Sequence, residues 1–277
     1  YMSNKCLLIA DHKSVDKQIH IFNKNDFSYL TSIGNFGEGP EEITVMGCLA
    51  IDEAHHQLYV SDHAKQKIFS YDMDSVMVDS LYKPQVKTAM NETLFPSEYQ
   101  YINDTLSIAV LIKPTSTSTF NQFLGRWNMN TGEMIPMKYT HPDIQKKRIT
   151  FAASEKAGIY VECYTRHDLM TICSLDGELL YNIYGPDWDG GNGNKLQSFG
   201  TVMIGNDKIF VSYCVEDYAR DSFPTKILVF DLEGNYLKTL ETGYKISDCC
   251  YDSFNNRIIL SLNDVVQFAY LDIDGII

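Results

Sequence analysis

Phe230-Asp231-Leu232-Glu233-Gly234 reads as an apolar residue closing a β-strand, a short acidic turn, and a glycine where a tight turn demands positive φ. An apolar strand end followed by a short polar turn also reads in Phe22-Asn23-Lys24-Asn25, Tyr71-Asp72-Met73-Asp74, Trp127-Asn128-Met129-Asn130, Cys173-Ser174-Leu175-Asp176 and Leu271-Asp272-Ile273-Asp274, with a glycine following closely in four of the six. These six segments read as hairpin tips. They begin at residues 22, 71, 127, 173, 230 and 271, a mean spacing of about 50 residues, in the range of propellers and related arrays. A second set of short β-rich runs keeps the same beat: Leu7 to Ala10, Leu58 to Ser61, Leu106 to Ala109, Ile159 to Glu162, Ile209 to Ser212 and Ile258 to Ser261. Ahead of five of them lies another, in Met46 to Ile51, Ser97 to Ile102, Ile149 to Ser154, Phe199 to Ile204 and Ile246 to Tyr251, and a fourth run follows most tips. Four antiparallel strands per repeat make a propeller blade. Small residues (Gly47, Ala50, Ala152, Ala153, Gly200, Cys249, Cys250) fall on the first strands, where blades crowd around an axis. The expected fold is all-β: one six-bladed β-propeller with four-stranded antiparallel blades, forming a single domain over residues 1–277.

The two ends depart from that plan. Tyr1 to Asn4 are too few for an inner strand and its turn, so blade 1 is expected to open with its second strand at Lys5 to Asp11. Blade 6 supplies three strands, Ile246 to Tyr251, Arg257 to Leu262 and Val265 to Asp272. Both terminal blades are expected to be incomplete in this chain, and residues upstream of Tyr1 to complete them as an N-terminal clasp.

Composition narrows the function. Lys and Arg number 23 against 36 Asp and Glu, a formal charge of −13 that repels phosphate backbones, so nucleic acid is not expected as a partner. Aromatic residues make up 12% and charged residues 21% of the chain, which suits a well-cored β-rich protein rather than a disordered one. The longest clean apolar stretch, Ile108 to Ile112, is far short of a membrane span. The seven cysteines show no C-x-x-C spacing and mostly sit in apolar alternating stretches, where a free thiol acts as a small hydrophobe.

Gly37-Glu38-Gly39-Pro40-Glu41-Glu42-Ile43, then Leu49 to Asp52, Leu58 to Asp62 and Lys67-Ile68-Phe69, resemble an NHL-type repeat. The whole chain resembles the six-bladed TolB-like propellers of bacterial cell envelopes. The resemblance implies an exported protein, periplasmic or surface-associated, anchored by a lipid through upstream residues. It implies a non-enzymatic ligand-binding or scaffolding role, as a monomer whose partner is a small polar ligand, a glycan or a protein. The alternative that other six-bladed propellers imply is a metal-assisted lactonase or hydrolase with its site at the central channel.

No G-x-S-x-G, H-E-x-x-H, Walker loop or complete G-x-G-x-x-G occurs, so no catalytic residue is singled out. Glu41 and Glu42 in the first connection, and Arg148, Lys195 and Lys245 at the starts of first strands, are expected at one channel mouth as a polar ligand site. Arg166 and His167 place a cation and a titratable ring in one loop. Asp11-His12 and Asp62-His63 occupy equivalent positions, and the Asp there is expected to tie its loop through hydrogen bonds. The segment Asp187-Trp188-Asp189-Gly190-Gly191-Asn192-Gly193-Asn194 alternates oxygen ligands on a glycine-rich backbone, which suits calcium, though Asn192 and Ser198 depart from an EF-hand. Its plainer reading is a long connection between blades 4 and 5, and a third is a binding loop with Trp188 as a stacking platform. No cofactor is expected beyond that calcium candidate.

Overall fold

Runs such as Gln57–Asp62 and Ile159–Tyr164 combine β-branched and aromatic residues, and nearly every side chain in them is buried. Such strands are covered on both faces, so they form the middles of sheets packed against neighbours. The computed structural model describes residues 1–79, 81–192, 196–217 and 222–277, and they form six small antiparallel sheets. The chain divides into two compact units, Tyr1–Pro136 and Met137–Ile277.

The first unit holds three sheets. One is β1 (Cys6–Ala10), β2 (Lys17–Asn23) and β3 (Tyr29–Asn35). The next is β4 (Met46–Asp52), β5 (Gln57–Asp62), β6 (Lys67–Asp72) and β7 (Gln85–Ala89), with the one-turn helix α1 (Met73–Val76) before β7. The third is β8 (Phe95–Asn103), β9 (Leu106–Pro114), β10 (Phe120–Trp127) and β11 (Met134–Pro136). Strand order follows chain order in each, so every sheet is a meander. Apolar layers join neighbouring sheets: Leu8, Ile19 and Ile21 pack with Leu49, Leu58 and Phe69, and Ala50, Tyr59 and Ile68 with Tyr99, Leu111 and Trp127.

The second unit repeats the scheme. Its sheets are β12 (Ile149–Ser154), β13 (Ile159–Tyr164), β14 (Leu169–Ser174) and β15 (Leu179–Tyr184); then β16 (Leu196–Gly205), β17 (Lys208–Asp217), β18 (Lys226–Asp231) and β19 (Tyr236–Glu241); then β20 (Ile246–Asp252), β21 (Arg257–Leu262) and β22 (Phe268–Asp272). First strands β12, β16 and β20 lie against one another in sequence. Their small residues follow from that closeness: a Cβ on Gly205 would stand 2.3 Å from the Tyr251 ring.

Three local expectations change. Tyr71 to Asp74 is no tight hairpin tip, because Asp72 accepts the Ser75 N–H at 2.7 Å and caps α1 instead. Leu271 to Asp274 ends β22 in a turn closed by Ile276 N–H to the Ile273 carbonyl rather than in a hairpin tip, while the three strands expected of this blade are the three that form among the described residues. At the start, Tyr1 and Leu8 exchange backbone hydrogen bonds at 2.8 and 2.9 Å around a Met2–Leu7 bridge, so these first residues do pair alongside β1. All seven cysteines are free thiols, six of them buried. Among the described residues no helix is long and apolar enough to cross a membrane.

Candidate ligand-binding site

The most elaborate polar arrangement lies in the second unit, around Asp168 in the turn between β13 and β14. Its buried carboxylate accepts the Asp187 N–H and the Tyr213 hydroxyl, each at 3.0 Å, and its carbonyl accepts the Gly185 N–H at 2.8 Å. Burial holds its carboxyl above the usual carboxylate range, and those two donors oppose the shift. The chain leaving β15 is therefore fastened over this turn. Only glycine fits at 185, where a Cβ would lie 2.0 Å from the Asp168 carboxylate. Further on, Gly191 (φ +83°) passes so close to the Asp143 carbonyl that a Cβ would stand 2.3 Å away. The Asp168 fastening and this close approach bracket Trp188.

Trp188 is half-buried among rings. Its centroid lies 5.1 Å from Tyr184, 5.4 Å from His141 and 6.2 Å from His167. His141 Nδ1 accepts the Asp143 N–H at 3.3 Å, so its neutral ring carries the proton on Nε2 and donates it to the Tyr184 hydroxyl at 3.0 Å. His167 is 7% exposed, and its buried Nδ1 has no hydrogen-bond partner among the described residues. Burial lowers both imidazoles below their ordinary range; the neighbouring Asp143 and Asp189 oppose it, and Lys147 and the facing His141 add to it. Two neutral imidazoles and a half-open indole result. The Thr165 N–H donates to the Arg148 carbonyl at 2.9 Å, which sets Arg148 opposite the start of the Arg166–His167 turn, and burial and then the Arg166 guanidinium push Arg148 down. The Arg148 guanidinium donates to the Lys147 carbonyl at 2.7 Å.

The structure thus brings His167 and Trp188 together, and Arg148 beside Arg166. Lys245 is exposed just before β20, and among the described residues no contact joins it to this cluster. Lys195 lies outside the described residues. Glu41 and Glu42 belong to the first unit: Glu41 pairs with Lys83 at 2.8 Å, and Glu42 accepts the Gly39 N–H at 2.7 Å. Their loop is gathered on the Lys65 ammonium, which donates to the carbonyls of Gly37, Gly39 and Glu42. Asp62 ties its loop as expected, accepting the N–H groups of Thr44, Val45, Ala64 and Lys65, while the adjacent His63 has a buried Nε2 without a partner. Asp11 accepts the Lys13 N–H at 3.0 Å.

Among the described residues, one group of three could hold a metal ion: Asp52, His55 and Asp104 in the first unit. Asp52 there accepts the His55 N–H and ring and the Tyr59 hydroxyl, closing the turn after β4. In the second unit Asp252 closes the turn after β20 in the same way with Asn255 and Arg257, where no imidazole is available. The shared feature is a turn cap. Asp187 and Asp189 join no such group among the described residues.

His141 was not anticipated from sequence. It lies in the irregular stretch before β12, far from Trp188 along the chain, and only a fold brings such residues together.

Comparison with known proteins agrees with the six sheets. Residues 1–124 match the family DUF5128, described as a 6-bladed beta-propeller, and the chain is an all-β six-bladed propeller with almost no helix. Similar solved structures include a Bacteroides caccae protein of unknown function (12% identity, TM-score 0.58, covering 99% of this chain and 92% of that one). A DUF4221 member from Bacteroides vulgatus matches at 10% identity and TM-score 0.66, covering 98% and 91%. A gluconolactonase from Xanthomonas campestris matches at 13% identity and TM-score 0.58, covering 93% and 79%. At these identities the likeness is one of fold. No curated protein sequence matches the chain.

Proposed function

We propose that this chain is a non-enzymatic ligand-binding propeller of the bacterial cell envelope, of the NHL or TolB-like kind that Gly37 to Asp62 resembles. It receives a small polar ligand or a glycan at the Trp188 cluster. One observation carries the reading: a half-open indole, with its N-terminal flank fastened to Asp168, sits beside the His167 ring, whose buried Nδ1 has no partner among the described residues. Indole faces stack on sugar rings, and an unpaired buried nitrogen lacks the hydrogen bond that a ligand hydroxyl would give it. Tyr184, exposed beside it, widens the platform. The chain has two tryptophans, and the other, Trp127, is buried in the first unit. A Trp127→Phe variant therefore leaves Trp188 as sole reporter. A panel of neutral and acidic oligosaccharides is expected to change its emission saturably, with the effect abolished by His167→Phe. No response to any member would overturn the reading. Metal-dependent hydrolysis of a sugar lactone above the buffer rate would overturn its non-enzymatic part. Cell fractionation tests the envelope assignment: recovery with the cytosol contradicts it.

A further inference from the structure

In the first unit a cavity of about 170 Å³ opens where the residues before β1, the turn after β4, the start of β5 and α1 meet. Its apolar walls are Cys6, Leu8, Ile51, Leu58, Met73 and Met77, and polar residues, among them Ser3, Asn4 and Gln57, line the rest. It belongs to neither the Trp188 cluster nor the loop carrying Glu41 and Glu42.

We propose that this cavity binds a small neutral aromatic molecule, between benzene and indole in size. Volume sets the scale, since a space of about 150 Å³ is room enough for benzene. The walls set the chemistry. Three of the six carry sulfur, and burial raises the Cys6 thiol so that it stays uncharged. Thiol and thioether sulfurs are polarisable and favour the edge of an aromatic ring. The two methionines are four apart on or beside α1, so they share a face. That face is fixed, because Asp72 caps the helix and the Met73 N–H donates to the His56 carbonyl at 2.9 Å.

The mouth sets the charge. Glu53, His56 and Asp74 are exposed there with Lys5, and Asp52 lies buried behind them. Each carboxylate is engaged: Glu53 accepts the Asn4 N–H at 2.7 Å, Asp74 pairs with His56 Nδ1 at 2.7 Å, and Asp52 holds His55 and Tyr59. None is left requiring a cation. Their excess over Lys5 repels an anion, and a neutral ring is the guest that remains.

The test is a titration of protein carrying ¹³C-methyl methionine with benzene, indole and benzoate, the two methyl signals being assigned through Met73→Leu and Met77→Leu. Indole and benzene are expected to move the Met73 and Met77 methyls saturably at millimolar concentration while the other methionine methyls stay. Benzoate is expected to need at least tenfold more. Met77→Trp, at a partly exposed position, fills the space and is expected to abolish the Met73 shift. Unmoved Met73 and Met77 methyls, equal response to benzoate, or an undiminished shift in a folded Met77→Trp protein would each overturn the proposal. Should that variant fail to fold, the titration of the unaltered protein decides.

Discussion

Lys147 places its ammonium 2.9 and 2.8 Å from the two carboxylate oxygens of Glu162, with the two side chains only 6% and 2% exposed. The Tyr164 hydroxyl donates to the same carboxylate at 3.1 Å, and its ring lies 5.8 Å from the ammonium. A charge pair taken this far out of water holds together only when both partners are present and well bonded.

Lys147→Met should therefore destabilise the protein by about 3–5 kcal/mol, because it leaves Glu162 buried without its counter-charge. The double variant Lys147→Met, Glu162→Leu should recover most of that loss. Urea midpoints of the four proteins measure it, and simple additivity of the two single changes would contradict the coupling.

Acid should weaken the fold from an unusual direction. Burial holds His63, His141 and His167 below the ordinary imidazole value of 6.5, against the opposing pull of Asp62, Asp143 and Asp189 respectively. The unfolded chain takes up these protons as pH falls through about 6.5, while the folded chain does so only lower down. Stability is thus complete above that pH and declines below it. His55, raised by its hydrogen bond to Asp52 but fully exposed, and Asp168, raised by burial and nearer the carboxylate range, work in the opposite sense. Melting temperature should drop between pH 7 and 5.5, and His167→Asn should flatten the slope. A level profile over that interval would count against the assignment.

Lys65 should matter more than the glutamates near it. Removing its ammonium by Lys65→Met takes a charged donor from three carbonyls of the loop at residues 37–42, with an expected loss of about 1.5–3 kcal/mol. Glu41→Ala breaks a pair whose members are largely in solvent, and should leave the denaturation midpoint where it was. Faster proteolytic cutting within the loop in the first variant alone is the corresponding kinetic sign.

Gly205→Ala should cost about 1–3 kcal/mol, since the added methyl meets the Tyr251 ring at 2.3 Å and that ring is stacked on Phe210 at 4.9 Å. Gly205→Ala combined with Tyr251→Leu tests the cause. If the pair is no better than the single change, the contact is not the reason.

The strand rhythm was legible because a short run of β-branched and apolar residues is a local signal: Ile149–Ser154 is a strand over the very residues that run marks. Tips were less secure, since Tyr71 to Asp74 offers an acidic turn in sequence but also a helix cap, and only the route to β7 selects the cap. The site was half legible. Trp188 and His167 stand out as residue types in a glycine-rich loop and a polar turn, whereas His141, Asp168 and Lys147 gain their roles from partners up to 45 positions away. Lys65 escaped notice for the same reason, as three carbonyls leave no mark in a side-chain pattern.

The free thiols give five of the six sheets a clock. Five of the six sheets carry at least one cysteine, on β1, β4, β13 and β14, β17 or β20, and the sheet of β8 to β11 has none. Burial raises every one of these thiols, so a labelling reagent meets a thiolate only after its strand has opened. The order in which cysteines are modified under native conditions then reads out which part of the ring lets go first. Under an added oxidant the same event would have a further outcome: released sulfurs could join in disulfides that the native fold lacks, and a brief opening would become permanent.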